Sequence, residues 1–353
     1  MTHLFATLAS PHIHLAYWQE TLIKVVLVLV AVPTATAIIV QTFLFKVMAY
    51  MQSRLGPMEA GPHGSLQLLA DGVKFVQKEL LAPERADRLV FGMAPVIVLL
   101  STFMLYVVIP VGPGGAAENL DTGIFFALAV SSISVVGILA AGWASANKYS
   151  LIGGLRAAGQ LIAYELPLVL GVVGVVMLAG TLNLQGIVQA QASWHLFGHT
   201  ILGLHGVPFV IPQFVGFLTF LVAAQAELTQ VPFDMPVAES ELVAGYQTEY
   251  SGLLFLFFYI GEFGTAFGLS AIAATLFLGG WYLPGFHAHG FGGDLLGFGV
   301  LFAKTMAVAF LIFWIRFTYP RFREDQLQAF AWKLLIPLAL VNLGVTALVK
   351  VVA

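Results

Sequence analysis

Leu89-Val-Phe-Gly-Met-Ala-Pro-Val-Ile-Val-Leu-Leu-Ser-Thr-Phe-Met-Leu-Tyr-Val-Val-Ile-Pro110 holds no charged side chain. About 20 apolar residues in helical form cross the hydrocarbon core of a bilayer, so this stretch reads as a transmembrane helix. The same ruler finds seven more, at 21–45, 124–144, 160–180, 208–226, 252–281, 295–317 and 334–352. The predicted fold is an all-α polytopic membrane protein of about eight spans, forming a single integral membrane domain over 1–353. Composition agrees: 59% of the 353 residues are hydrophobic and 9% charged, where a soluble domain is about a quarter charged. A net charge of −3 argues against nucleic acid as a partner, which would call for a basic patch. The absence of cysteine excludes disulfides, thiolate nucleophiles and iron–sulfur ligation by this chain.

The few charges are distributed unevenly. Lys46, Arg54, Lys74, Lys78, Arg85 and Arg88 lie between the first two spans, Lys148 and Arg156 between the third and fourth, and Arg316, Arg321, Arg323 and Lys333 after the seventh. Positive residues mark the cytoplasmic side, so these loops are expected in the cytoplasm and both termini outside. The stretch Met1–Glu20 has three histidines and no Lys or Arg, so it lacks the basic region of a cleaved signal. His195 and His199, like His287 and His289, fall in outer loops and read as surface residues; no residue is assigned to a metal.

In 63–80, Leu66, Leu69, Ala70, Val73, Val76 and Leu80 recur at helical spacing, with Gln67, Asp71, Lys74 and Lys78 on the other face. That pattern predicts an amphipathic helix lying at the cytoplasmic interface in the first loop.

Acids inside or beside spans are a different matter. Glu165 sits just inside the fourth span and Glu227 closes the fifth; Asp234, Glu239, Glu241 and Glu249 crowd the following loop, and Glu262 lies well inside the sixth. Lys304 falls near the middle of the seventh. A charge at such depth costs at least ~2.5–3.5 kcal/mol on insertion scales, so it faces the protein interior or water. A buried Glu262–Lys304 pair is the purely structural reading. As a set, the carboxylates read as a proton path open to the cytoplasm, because acids brought close cannot all ionise together. Lys24, four residues after Glu20, is expected to snorkel and pair locally.

The loop Ala226-Glu-Leu-Thr-Gln-Val-Pro-Phe-Asp-Met-Pro-Val-Ala-Glu-Ser-Glu-Leu-Val-Ala-Gly-Tyr-Gln-Thr-Glu-Tyr-Ser-Gly252 resembles the long cytoplasmic loop of the subunit 1 family (the H-type chain in bacteria), the membrane subunit of respiratory complex I. Gln52-Ser-Arg-Leu-Gly-Pro57, Gly61-Pro-His-Gly-Ser-Leu-Gln67, Ala70-Asp-Gly-Val-Lys-Phe-Val-Gln-Lys-Glu79, Gly142-Trp-Ala-Ser145, Leu278-Gly-Gly-Trp281 and Tyr319-Pro-Arg-Phe-Arg-Glu-Asp-Gln-Leu327 are similar to the same family. The resemblance spans about 45–340 and uses every loop assigned to the cytoplasm.

It implies a subunit of a proton-translocating NADH:quinone oxidoreductase in the bacterial cytoplasmic membrane, at the entrance of a quinone chamber. The chain would hold no redox centre, FMN and iron–sulfur clusters belonging to partner subunits. Partners would be the peripheral-arm quinone-site and iron–sulfur subunits, small membrane subunits, quinone and lipid. Arg54, Asp71, Lys74 and Phe233 would frame the quinone passage. Glu165, Glu227, Glu249 and Glu262 would form an acidic channel, with Asp234, Glu239 and Glu241 linking chamber to channel. Gln230 and Val237 depart from the family, which usually has Arg and Glu there, consistent with balanced loss of a salt bridge.

Two other classes fit part of the pattern. The membrane subunit of an energy-converting hydrogenase, or a ferredoxin-dependent relative, shares the fold; the Glu239-Ser-Glu-Leu-Val243 string and the Tyr319-Pro-Arg-Phe-Arg323 string favour complex I. A secondary transporter also uses intramembrane acids, but no repeat pairs the first four spans with the last four.

Overall fold

The computed structural model describes residues 17–113, 116–193, 206–283 and 290–352. His195, His199, His287, His289 and the side chain of Glu239 lie outside that description. Helices make up the regular structure of the described residues: α1 (Tyr17–Met51), α2 (Gln67–Gln77), α3 (Arg88–Val107), α4 (Gly123–Ala144), α5 (Lys148–Ala179), α6 (Leu184–Ser193), α7 (Phe214–Glu227), α8 (Gly252–Phe277), α9 (Gly290–Thr318) and α10 (Glu324–Val351). Seven of these are long and apolar enough to cross a membrane, and α7 is the short eighth. The polytopic all-α reading is borne out.

Boundaries moved for identifiable reasons. α5 begins at Lys148, well before 160, because the Asn147 side chain caps it by accepting from the Tyr149 amide; Lys148 and Arg156 therefore ride on a helix that projects past the apolar stretch. α7 has only 14 residues, about 21 Å of helix. The chain before it, with Pro208 and Pro212, forms turns in which the Gln213 amide bonds Phe209 O. α1 and α10 run through π-helical turns at Val40–Val47 and Ala331–Leu335. α6 was not anticipated.

Two helices organise the bundle. α8 packs on α1, α3 and α9, and α5 on α4, α7 and α10. Lipid supplies no hydrophobic drive for helices to associate, so close approach by small residues does that work. A Cβ on Gly261, Gly264 or Gly268 of α8 would sit 2.8 Å from Val98, 2.9 Å from Thr102 and 2.7 Å from Leu105 of α3. The approach lets the Thr102 hydroxyl donate to Gly261 O at 3.2 Å and the Tyr106 hydroxyl to Gly264 O at 2.7 Å. The perimeter is apolar and exposed, as at Leu29, Leu100, Phe125, Val136 and Leu348, which suits hydrocarbon and not water.

The loops of the basic end meet one another. The Leu81 amide donates to Ser251 Oγ, Asp87 N to Ala144 O and Phe322 N to Pro232 O. α2 lies against α8 while Leu69, Val73 and Val76 remain exposed, so its apolar face points away from the protein, as an interfacial helix requires.

Candidate functional site

A cavity of about 790 Å³ opens between α1, α2 and α8. Ala37, Gln41 and Phe45 of α1, Leu68, Asp71, Lys74 and Phe75 of α2, and Leu256 and Tyr259 of α8 line it. Its wall is mostly hydrocarbon, with a polar patch where Asp71 accepts from Gln67 at 3.0 Å and pairs with Lys74 at 3.4 Å. Gln41 donates to Gly64 O at 3.1 Å, and its buried carbonyl oxygen has no protein partner. Thr34 and Ile38 also border a second, apolar cavity of about 320 Å³ between α1, α3, α8 and α9. Of the four passage residues expected from sequence, Asp71 and Lys74 line the first cavity. Arg54 is exposed and donates to Gln52 at 2.7 Å. Phe233 is buried among Tyr164, Phe322 and Phe330, its ring centroid 5.3 Å from that of Tyr164.

The carboxylates fall into separate groups. Ser132 of α4 donates to Glu165 of α5, and Ser131 on the next position hydrogen-bonds Glu227 at the end of α7, close enough to Glu165 for the two acids to repel. Glu262 of α8 accepts from the Gln230 amide, whose oxygen accepts in turn from Arg316 of α9. Arg316 lies over the Phe263 and Phe317 rings, 5.8 Å from each centroid, and Asp234 and Tyr246 face the same carboxyl. Between the groups, Gln160 Nε2 holds Ala226 O and Phe233 O, both at 2.7 Å, and Gln225 Nε2 holds Val231 O at 2.8 Å. The buried Oε1 atoms of both glutamines have no protein partner. Glu249 accepts from Asn147.

Glu241 stands apart, at the surface of the basic end. Arg156 donates to it at 2.6 Å and Arg321 donates to its other oxygen, while Arg156 also reaches Glu324 at 3.5 Å. The Arg156 hydrogen bond first, and the field of both arginines, hold its carboxyl below the usual carboxylate range. Nearby, burial pushes the Tyr246 and Tyr250 phenols up, so both stay protonated.

The Glu262–Lys304 pair of the purely structural reading is not formed. Lys304 donates to Gly280 O at 2.9 Å and to Tyr282 O at 2.7 Å, the carbonyls just past the C-terminus of α8. Arg316 is level with Glu262, and by helical rise Lys304 is ~18 Å from Arg316 along α9. Lys304 therefore sits toward the opposite end of the bundle from the acids. Lys304 is indeed at the middle of α9, but the turn after α8 folds back to that level, so the nominal middle of a span did not say which groups its charge would meet. Lys24 does pair with Glu20 at 3.0 Å and reaches Glu118 at 3.4 Å.

Gln230 and Val237 meet different first neighbours, with Tyr246 next to both settings. Val237 packs on the apolar cluster of Phe91, Ala157, Tyr246 and Phe258, while Gln230 lies between Glu262 and Arg316. Ser131, Ser132, Gln160 and Gln225 were missed from sequence, since neutral polar residues in apolar spans carry no hydropathy signal.

The profile of the family described as NADH dehydrogenase matches residues 23–347. The H-type chain of NADH-quinone oxidoreductase from Brevibacillus brevis is 42% identical over 335 residues, covering 94% of each chain. The protein of the same name from Bacillus mycoides is 46% identical over 315 residues, 86% of each chain. That from Phocaeicola vulgatus is 42% identical over 339 residues, 94% of this chain and 92% of its own.

Proposed function

This chain belongs to the NADH dehydrogenase family, among the H-type chains of NADH-quinone oxidoreductase, and from that premise we propose that it admits quinone from the membrane and couples its reduction to proton movement. As a subunit of that enzyme complex its partners are other complex I subunits. The observation that carries the reading is the cavity between α1, α2 and α8, apolar along its wall and polar at Asp71 and Lys74. An isoprenoid tail suits the hydrocarbon wall, and a quinone headgroup suits hydrogen-bonding groups such as Lys74 and Gln41. Arg54 and Phe233, outside this cavity, would frame the quinone passage from another side. Those loops would lie in the cytoplasm of a bacterium.

Electrons would come from FMN and iron–sulfur clusters of the partners; with no cysteine this chain offers no thiolate for a cluster. Reducing a quinone to a quinol takes up two protons and alters the charge nearby. Carboxylates respond to a change in local charge by shifting their proton equilibria. Glu262 with Asp234, then Glu227 with Glu165, would carry that response into the membrane. Water held at Gln160 Oε1 and Gln225 Oε1 would bridge the two groups. Glu249 would extend the line at the basic end, and Glu239 and Glu241 would tie it to the loop.

Ala37→Trp tests the passage, because an indole on α1 would fill the cavity while leaving Asp71 and the intramembrane acids in place. In the assembled complex the KM for quinone should rise about fivefold or more, while protons moved per quinol stay unchanged. An unchanged KM would contradict this use of the cavity.

A further inference from the structure

Gln230 is 2% exposed and uses its amide fully. Its nitrogen donates to Glu262 and to Leu228 O at 3.1 Å, and its oxygen accepts from Arg316. The polarity fits in one direction only, since a carboxylate needs a donor and a guanidinium an acceptor. Arg316 is meanwhile held over the rings of Phe263 and Phe317, a cation–π arrangement that fixes it beside the amide. No Arg316–Glu262 ion pair occurs among the described residues.

We propose that Gln230 is a positioning residue that keeps Arg316 and Glu262 as a split pair, so that Glu262 remains free to gain and release a proton. A guanidinium in direct contact would lock the carboxylate in its ionised form, since such charge-assisted bonds are roughly twice as strong as neutral ones. The amide instead serves both states: it donates to a carboxylate and equally to the carbonyl of a protonated acid. The ionisable groups facing Glu262 are Arg316 from α9, Asp234 and Tyr246 from the loop, and Tyr259 from α8 itself. α1 and α3 meet the adjoining turns of α8 with Thr36, Val98 and Thr102, none of them ionisable. This inference rests on the proposed role of Glu262 in proton movement, but its test can be read separately.

The test uses the purified, assembled complex with Q230L and Q230R. Infrared difference spectra across a pH titration report carboxyl protonation directly, and E262Q identifies the Glu262 band by its disappearance. Q230L keeps the bulk that parts Arg316, held over its two rings, from Glu262 but removes the donor to the carboxylate, and should move the Glu262 titration to higher pH by about one unit; Q230R brings a cation into contact and should move it to lower pH by about as much. The acid limb of quinone-reductase activity should follow in the same two directions. Q230M, of similar length and without the amide, takes the place of Q230L if that variant does not assemble. Shifts of the band in one common direction, or none, would overturn the proposal, because a merely structural residue has no reason to move the titration in opposite senses. If the band shifts as expected while E262Q pumps normally, Gln230 keeps its role and the proton role of Glu262 falls.

Discussion

Glu262 and Lys304 are both charges inside transmembrane helices, and sequence alone gives them the same standing. The structure separates them by their partners. Glu262 meets polar side chains, namely Gln230, Asp234 and Tyr246. Lys304 meets two backbone carbonyls in the turn just past the C-terminus of α8, which bear no proton and suit a cation near that helix end. On the proposed reading the acids around Glu262 change charge state, while Lys304 serves to hold the turn after α8. A charge in a membrane helix is a functional candidate by default; its first neighbours decide whether the default stands.

The largest expected effect lies at the basic end. Glu227→Gln keeps the shape of the α7 terminus and its contact with Ser131, but cannot pass a proton. Protons moved per quinol should fall about tenfold or more, in the range of a lost acid–base group. Wild-type pumping in that variant would remove Glu227 from the line. An intermediate effect is expected at the other end. Lys304→Met leaves Gly280 O and Tyr282 O without their donor, which costs about 1–3 kcal/mol of stability, read as earlier thermal denaturation with pumping intact. A variant that lost pumping and kept its stability would break the contrast.

The smallest effect concerns Glu241, which is paired but sits at the surface. Its folded pKa is depressed by Arg156 and Arg321, so the fold favours the ionised form. That contribution is complete above its ordinary value of about 4.3 and disappears as pH falls through the lowered folded value. Glu241→Gln should therefore flatten the acid limb of stability below about pH 5 by no more than ~1 kcal/mol, the scale of exposed pairs. Acid denaturation followed by circular dichroism reads this, and an unchanged limb would mean that the arginine cluster adds nothing.

Much of the architecture was legible because lipid imposes a simple length rule. The apolar run from Leu89 to Pro110 and its seven counterparts all correspond to helices, and the spacing of Leu69, Val73 and Val76 announced α2. The rule fails where polar residues continue a helix beyond the apolar stretch, as at Lys148 and Arg156 on α5. It fails again where a helix is short and glutamine-rich: in α6 Leu184, Ile187 and Val188 are buried at helical spacing, but Gln185, Gln189 and Gln191 dilute the signal. The acids themselves could be picked out, since each charge stands out against hydrocarbon. Their partners could not, because the adjacent Ser131 and Ser132 serve different acids on different helices, and Gln230 joins a loop to α8 and α9. Such contacts depend on how distant segments pack, which no local pattern encodes.

Proton translocation by the complex reconstituted in vesicles, measured against quinol formed for Glu262→Gln and Lys304→Met side by side, tests the contrast most directly. The glutamine variant should lose most of its protons per quinol while the methionine variant retains the wild-type ratio. Retention in the first, or an equal loss in both, would contradict the proposed contrast between a proton-carrying Glu262 and a structural Lys304.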